Sequence, residues 1–423
     1  LLSNTTGNNN VAIGNNALDA ASTASYNTAV GYNALTDNTT GAANCAFGNG
    51  SQENTSTGSN NVSFGSGSLN ANTTTSNNTA IGHETLQVAT AANNTAVGYI
   101  ALQANTTGTN NVAVGCNALK LNTTGSSNSA VGMQALDANT TGGNNTAIGN
   151  DSLTANTTGD NNTAVGSDAL GNNSTGSYNT AIGKAALLAN TTASHNVAIG
   201  YQSLDANTTG SYNFALGSYA LGANTTGSVN VAVGNALLAN TTGDNNIAVG
   251  SNALDTNTTG AECTAIGRGA LKTSNAAANV AIGFHAAYYT TTGIRNVGIG
   301  NSALKANTTG SYNTGVGYHA LLENTTASDN TAFGYQALRA NTTGADNTAV
   351  GYNAIQTNTT GANMTALGYQ ALYANTTGSS SVAIGKEALT DNTTGNWNVA
   401  VGRNALGSNT TADQNVAVGH DCL

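Results

Sequence analysis

Residues 330–346 read NTAFGYQALRANTTGAD, and residues 347–363 read NTAVGYNAIQTNTTGAN. The same 17-residue unit can be followed along the chain by the glycine that ends each Ala-Val-Gly or Ala-Ile-Gly, which occurs 25 times from Gly14 to Gly419. Three steps have 16 residues instead, and they end at Gly98, Gly250 and Gly283. A repeat that fills a chain in this way predicts a solenoid, in which each unit packs only on its neighbours. We therefore expect residues 1–423 to form a single repeat array, a segment of a longer protein.

The positions of one unit, numbered 1 to 17 from the leading Asn, divide into fixed and variable ones. Position 3 is Ala in 22 of the 25 units, position 4 is always Val, Ile, Leu or Phe, and position 9 is almost always Leu. No charged residue occupies positions 3, 4, 5, 8 or 9. Charges fall mainly at positions 6, 7, 10, 11, 16 and 17. The fixed positions are the candidate core, and the variable ones are the candidate surface.

Composition excludes several classes of partner. The 423 residues carry a net charge of -10, with 7% charged residues, 52 Gly and no Pro. A negative chain is a poor match for nucleic acid or for an anionic membrane surface. No apolar run approaches the roughly 20 residues that a membrane-spanning helix needs. The sequence therefore predicts no nucleic-acid partner and no membrane span in this chain.

Local patterns predict how one unit folds. Positions 1–5 alternate between small and β-branched residues, which is typical of a short strand. Positions 8–12, as in ALRAN, indicate a weaker second strand, with a single helical turn as the alternative. Asn-Thr-Thr-Gly supplies residues that favour turns. Two strands and two turns close one coil of a parallel β-roll, giving an all-β β-solenoid of about 25 coils of 17 residues. Stacked Asn residues at positions 1 and 12 are expected to form amide ladders.

The three short units are expected to keep their strands and to lose one residue from a turn. Leu86 and Leu271 still occupy position 9, and Asn-Thr-Thr is missing after them, so these deletions should lie in the return loop. The third short unit keeps that loop, so its deletion should lie between Gly234 and Ala236.

The motifs NTAVGYNAI (347–355) and NVAIGYQSL (196–204) resemble the head repeats of YadA-like trimeric autotransporter adhesins, and related repeats of bacteriophage tail fibres. The family motif is similar to SVAIGxxAxAxGxxS, with about fourteen residues per coil. This chain departs from it in the Leu of position 9 and in a return loop that is three residues longer. The resemblance implies a left-handed β-roll, three chains wound about one axis, and attachment to surfaces at the exterior of a cell or virion.

Residues able to bind a ligand are few. The His and Cys residues have no zinc-ligand spacing, and no phosphate loop or calcium repeat occurs, so neither an enzyme nor a cofactor or metal site is expected. Tyr318, Tyr335, Tyr352 and Tyr369 occupy position 6 of four consecutive units and form a candidate ligand surface, since exposed Tyr can stack on sugar rings. Stacking of the rings on one another, which would stiffen the chain, is the favoured alternative.

The Asn-Thr-Thr motif has two further interpretations. It occurs 19 times and is an acceptor sequence for N-glycosylation. Its paired Thr residues could also form a flat array of the kind that binds ice, but neighbouring residues of a strand point to opposite faces, which disfavours this reading.

The sequence favours a structural rod, the shaft or head of an extracellular attachment fibre that works as a homotrimer and whose partner is a cell-surface or glycan receptor. The rival hypothesis is a self-assembling filament or sheath subunit. An obligate oligomer is expected because a 17-residue coil is too thin to enclose the apolar columns of positions 2, 4 and 9 around its own axis. At least one column should then face another copy of the chain.

Overall fold

A computed structural model describes residues 3–422. The chain divides into two compact units, with the boundary after Asn213. Each unit is an all-β parallel solenoid with one three-residue strand per repeat. The predicted fold class is therefore confirmed, with 25 strands among the described residues. The strand covers positions 2–4 of the repeat rather than 1–5. The prediction of one uninterrupted array over residues 1–423 and the handedness implied by the resemblance stay predictions.

The strands of the first unit, β1 to β12, are Val11–Ile13, Thr28–Val30, Cys45–Phe47, Val62–Phe64, Thr79–Ile81, Thr95–Val97, Val112–Val114, Ser129–Val131, Thr146–Ile148, Thr163–Val165, Thr180–Ile182 and Val197–Ile199. The strands of the second unit, β13 to β25, are Phe214–Leu216, Val231–Val233, Ile247–Val249, Thr264–Ile266, Val280–Ile282, Val297–Ile299, Thr314–Val316, Thr331–Phe333, Thr348–Val350, Thr365–Leu367, Val382–Ile384, Val399–Val401 and Val416–Val418.

Equivalent positions pair in parallel along each unit. Ala164 of β10, for example, lies opposite Ala181 of β11. The short units keep this register, because β5 pairs with β6, β14 with β15 and β16 with β17 at equivalent positions. In most turns the backbone N–H of position 7 donates to the carbonyl of position 6 in the preceding turn. Asn252, at position 7, donates in this way to Asn235, so Asn235 occupies position 6. The next residue, Ala236, occupies position 8, and the residue missing from this short unit is therefore the one at position 7. The predicted conservation of register is confirmed.

The core lies on the Ala side of each strand. The Ala of position 3, the Ala of position 8 and the Leu of position 9 are buried in almost every repeat, as Ala130, Ala135 and Leu136 show with no exposed surface. Position 4 faces outward and is not buried in any of the 25 strands. Successive residues of a strand point to opposite faces, so a strand that turns the Ala of position 3 inward turns the Val or Ile of position 4 outward. Of the predicted apolar columns, Leu is therefore enclosed by its own chain and position 4 is not.

Positions 8–12 form neither the predicted second strand nor a helical turn, and both alternatives were wrong. The backbone φ angles of Gln134 and Leu136, at positions 7 and 9, are 56° and 55°, in the left-handed region. A left-handed conformation costs a non-glycine residue roughly 1–2 kcal/mol. Two hydrogen bonds offset this cost: the N–H of Leu136 donates to the carbonyl of Ser152 in the next turn at 3.0 Å, and its own carbonyl accepts from the backbone N–H of Asn139 in the same turn at 3.2 Å.

The predicted Asn ladders are confirmed, and the two columns differ in their bonding. At position 12, the Asn122 side chain donates to Oδ1 of Asn105 in the preceding turn at 2.8 Å. At position 1, Oδ1 of Asn111 accepts from the backbone N–H of Asn128 in the following turn at 3.0 Å. Both columns meet at the Gly125 carbonyl, which accepts from Asn111 at 2.9 Å and from Asn122 at 3.0 Å. The ladders thus satisfy buried amides that would otherwise be costly.

The glycine at position 5 is required by close contact between turns. Gly132 has a φ angle of 139°, and a Cβ there would lie 2.3 Å from the carbonyl oxygen of Gly149. Any larger residue would push neighbouring turns apart, which explains why this glycine marks the repeat.

One turn carries a polar residue in place of the core Leu. Gln52 occupies position 9 and is fully buried. Its side chain donates to Oγ of Ser63 at 2.8 Å and to the carbonyl of Cys45 at 3.1 Å. Ser63 itself replaces the usual Ala at position 3 of the next strand. The serine hydroxyl accepts an amide hydrogen bond that an alanine could not, so the second substitution compensates in part for the first. The Oε1 atom of Gln52 has no hydrogen-bond partner in the described part of the chain.

Candidate ligand-binding surface

The four tyrosines predicted from their spacing form a continuous stack, the tyrosine ladder. The ring centroids of Tyr318, Tyr335, Tyr352 and Tyr369 are separated by 5.2, 5.0 and 5.3 Å, with interplanar angles of 11°, 7° and 7°. These separations follow the spacing of about 4.8 Å between neighbouring strands. Each side chain is less than half exposed, at 42–46%. Because position 6 repeats in register, the backbone itself places the rings in the stack.

Both ends of the tyrosine ladder are covered. The His319 ring stacks on Tyr318 with a centroid distance of 3.8 Å. The Lys386 ammonium lies 5.5 Å from the Tyr369 ring centroid. The two inner rings are covered on both faces by their neighbours. A sugar would therefore meet ring edges and hydroxyl groups rather than an open ring face. This geometry favours the stiffening role, and ligand binding by the ladder stays a prediction.

A second aromatic stack was missed from the sequence. Tyr178, His195 and Tyr212 occupy position 17 of consecutive turns, with centroid distances of 5.0 and 4.8 Å and interplanar angles of 2° and 5°. Tyr178 and Tyr212 are exposed by 56% and 61%. The spacing of 17 residues between these rings is present in the sequence. The stack was not predicted because its middle residue is His rather than Tyr, so no run of identical residues marks it.

The outer strand face, formed by positions 2 and 4 of the strands, leaves apolar side chains exposed along each unit. Ile148 and Leu367 are 43% and 48% exposed. Phe47 and Phe64 stack on this face with centroids 5.5 Å apart, and Phe64 remains 59% exposed. Because position 4 is apolar in every strand, the exposed side chains form an uninterrupted column within each unit.

The side chains of the Asn-Thr-Thr motifs are mostly buried or hydrogen-bonded within the fold. The Asn side chain is fully buried in 17 of the 19, all except Asn4 and Asn409. The first Thr hydroxyl is also engaged: Oγ1 of Thr123 donates to the carbonyl of Thr140 at 2.9 Å. The same carbonyl accepts the backbone N–H groups of Thr123 and Thr124. A glycan could be attached to the buried Asn residues only by disrupting the ladder that they form.

Within residues 3–422, no group of three or more His, Cys, Asp or Glu side chains is arranged to hold a metal ion. The same residues contain no helix long and apolar enough to cross a membrane. Comparison of the chain with protein-family models and with curated protein sequences gives no match.

Proposed function

We propose that this chain is a non-catalytic structural segment of an extracellular attachment fibre, at a cell or virion surface, and that it works as a homotrimer. The observation that carries the proposal is the outer strand face. In all 25 strands position 4 is Val, Ile, Leu or Phe and is left unburied by its own chain. Contiguous apolar patches larger than roughly a few hundred Å² are rare on soluble monomers. A second and third copy of the chain would cover this surface along its length.

The hydrogen bonding supports a mechanical role for the chain. In the first unit, the turns near Asn122 are joined to their neighbours by the pairing of the strands and by the two Asn ladders. The Thr hydroxyl of position 13 adds a hydrogen bond to the carbonyl of position 13 in the next turn. Such repetitive bonding resists local opening, which is what a shaft exposed to proteases requires. In this proposal the receptor, a cell-surface protein or glycan, binds to variable surface positions or to a part of the fibre outside this chain.

The oligomeric state tests the proposal. Sedimentation equilibrium of the purified chain should give three times the 41.7 kDa protomer mass. Replacing Val131, Ile148 and Val165 together by Asp places three charges on the outer strand face of consecutive strands, and we expect the trimer to dissociate. The matched control replaces Leu121, Ala138 and Ala155 by Asp. These residues occupy position 11 of three consecutive turns and lie off the strand face, so the control should remain trimeric.

A wild-type chain that stays monomeric and soluble would overturn the proposal, as would equal dissociation by both triple variants. Electron microscopy of the same sample distinguishes the fibre segment from the rival hypothesis, a filament or sheath subunit, by particle length. Particles of uniform length fit a fibre segment, whereas end-to-end polymers that lengthen with protein concentration would favour the filament or sheath subunit.

A further inference from the structure

Positive charge is concentrated in one segment of this acidic chain. Between Glu262 and Glu323 there is no Asp or Glu, yet four of the nine Lys and Arg residues of the protein lie there. They are Arg268, Lys272, Arg295 and Lys305. The rest of the chain therefore carries about -14, and this segment is a local region of opposite potential.

A cleft opens within this segment in the second unit, with a volume of about 100 Å³. It is formed by Arg268, Lys272, His285 and Tyr288, with Ser251 and Asn252 at its border. We call it the basic cleft. Two consecutive turns build it: positions 6 and 10 of one turn supply the cations, and positions 7 and 10 of the next supply the imidazole and phenol rings.

Gly269 provides the floor of the basic cleft. It occupies position 7 with a φ angle of 66°, where most repeats have a side chain. A Cβ at this residue would lie 2.8 Å from Cδ2 of His285 and 3.0 Å from Cε2 of Tyr288. Because Gly269 has no side chain, the rings of His285 and Tyr288 can pack against its backbone, and space remains between these rings and the two cations.

The two cations are held in place without carboxylate partners. The Arg268 guanidinium lies 5.9 Å from the Phe284 ring centroid, and the Lys272 ammonium lies 5.5 Å from that of Tyr288. Neither forms an ion pair within the described part of the chain. The neighbouring carboxylate of Asp255 instead accepts from the Asn252 side chain at 3.5 Å.

The local field acts on the imidazole of the cleft. Partial burial, followed by the charges of Lys305, Arg268 and Lys272, holds the pKa of His285 below its ordinary value. A site in which cations repel a further positive charge is one that an anion would stabilise.

We propose that the basic cleft binds the acidic group, a carboxylate or a sulfate, of a saccharide. Arg268 and Lys272 supply charge-assisted hydrogen bonds to that group. The ring of Tyr289, the residue after Tyr288, is 48% exposed and offers apolar surface to the C–H face of a sugar ring. The ring of Phe284 is 43% exposed but stacks on His285 with a centroid distance of 3.8 Å, so it offers its edge. The cleft is small enough for one acidic group and a single cluster of cations, which does not suit the repeated phosphates of a nucleic acid. This inference stands apart from the proposed role in a fibre.

Calorimetric titration of the full chain tests the inference, with glucuronate and glucose 6-sulfate as probes and glucose as the neutral control. We expect Arg268→Gln and Lys272→Gln each to weaken binding of the acidic sugar by at least tenfold. Lys120→Gln is the matched control, because Lys120 occupies the same position 10 in a turn outside the basic segment, and it should change binding by less than twofold. Circular dichroism and the melting temperature verify that each variant is folded.

The relative affinity of the two acidic probes distinguishes a carboxylate from a sulfate ligand, and either one supports the inference. Binding that survives in the Arg268→Gln/Lys272→Gln double variant would overturn it. So would failure of both acidic sugars to bind better than glucose, or binding of inorganic sulfate as tight as that of the sulfated sugar. An oligonucleotide that binds where the sugars do not would equally reject a saccharide site. None of these outcomes depends on whether the chain is a trimer.

Discussion

Oδ1 of Asn128 accepts a hydrogen bond from the backbone N–H of Asn145, the equivalent residue one turn further along, at 2.9 Å. The same Asn128 side chain donates to the carbonyl of Gly142 at 2.9 Å. One buried amide therefore joins two turns and also satisfies the return loop. This double role explains why an amide, rather than an apolar residue of similar size, occupies position 1 of almost every repeat.

Replacing Asn128 by Ala should be strongly destabilising. It leaves the buried backbone N–H of Asn145 without a partner, whereas the Gly142 carbonyl keeps the hydrogen bond from the Asn139 side chain at 2.9 Å. Since one buried unsatisfied group costs about 1–3 kcal/mol, we expect the free energy of unfolding, measured by urea denaturation, to fall by roughly that amount. The control is Asn49→Ala, an exposed Asn at position 6, whose effect should stay within about 0.5 kcal/mol. Equal effects of the two substitutions would show that the ladder contributes nothing.

The contribution of the tyrosine ladder can be measured with a single residue. Tyr352→Asn removes the ring contacts with Tyr335 and Tyr369, and an aromatic pair is worth about 0.5–1.5 kcal/mol. A loss of roughly 1–3 kcal/mol in the free energy of unfolding is expected. The control is Tyr32→Asn at the same position 6, since the neighbouring turns have Asn15 and Asn49 there and place no aromatic ring beside Tyr32. A ladder without structural value would make the two variants indistinguishable.

A stabilising substitution is available at Val229. This residue has a φ angle of 59°, and its side chain is 50% exposed. A β-branched residue is a genuine outlier in the left-handed region, whereas Asn tolerates it. Val229→Asn should therefore raise the free energy of unfolding by about 1 kcal/mol. The same change at Val112, an exposed strand residue, should not stabilise, because the strand backbone already suits Val. A lower melting temperature for Val229→Asn would contradict this account of the turn.

Acidification should weaken the fold through His285 and His319. Burial and nearby cations hold the pKa of both imidazoles below the ordinary 6.5. The unfolded chain then binds more protons than the folded chain as the pH falls below about 6.5, so stability present above that pH is lost on the way to the lower folded pKa. Melting temperatures between pH 7.5 and 5, in buffers without multivalent anions, should fall more steeply for wild type than for His285→Asn.

The control for this pH dependence is Gln336→Asn, which makes a similar change at position 7 of another turn without removing a group that titrates in this range. Its melting temperature should follow that of wild type across the whole series. Parallel curves for wild type and His285→Asn would mean that the imidazole does not contribute.

The strands, the pairing register and the Asn ladders could be predicted because they depend on residues that recur at identical positions. The conformation of positions 8–12 could not. Leu136 is a residue that normally avoids the left-handed region, so no local preference indicated that Leu occupies it at position 9 of nearly every turn. Its burial and the hydrogen bond to Ser152 decide the conformation, and both exist only once the turns are stacked.

The candidate sites divide in the same way. The tyrosine ladder followed directly from spacing, but the covering of its ends depends on His319 and Lys386, at positions that vary between repeats. The basic cleft depends on the absence of a side chain at Gly269. The importance of this glycine could not be predicted from the sequence, because it follows from the positions of the His285 and Tyr288 rings next to it.

The in-phase pairing of equivalent positions has a genetic consequence. A turn within either unit is bonded to the turns before and after it through the same atoms, as Ala164 opposite Ala181 illustrates. Excising one complete repeat would bring together two surfaces that already match. Unequal recombination between the corresponding DNA repeats would then lengthen or shorten the protein in whole turns while preserving its fold, and natural isolates should differ in repeat number more readily than in the sequence of positions 1, 3, 5 and 9.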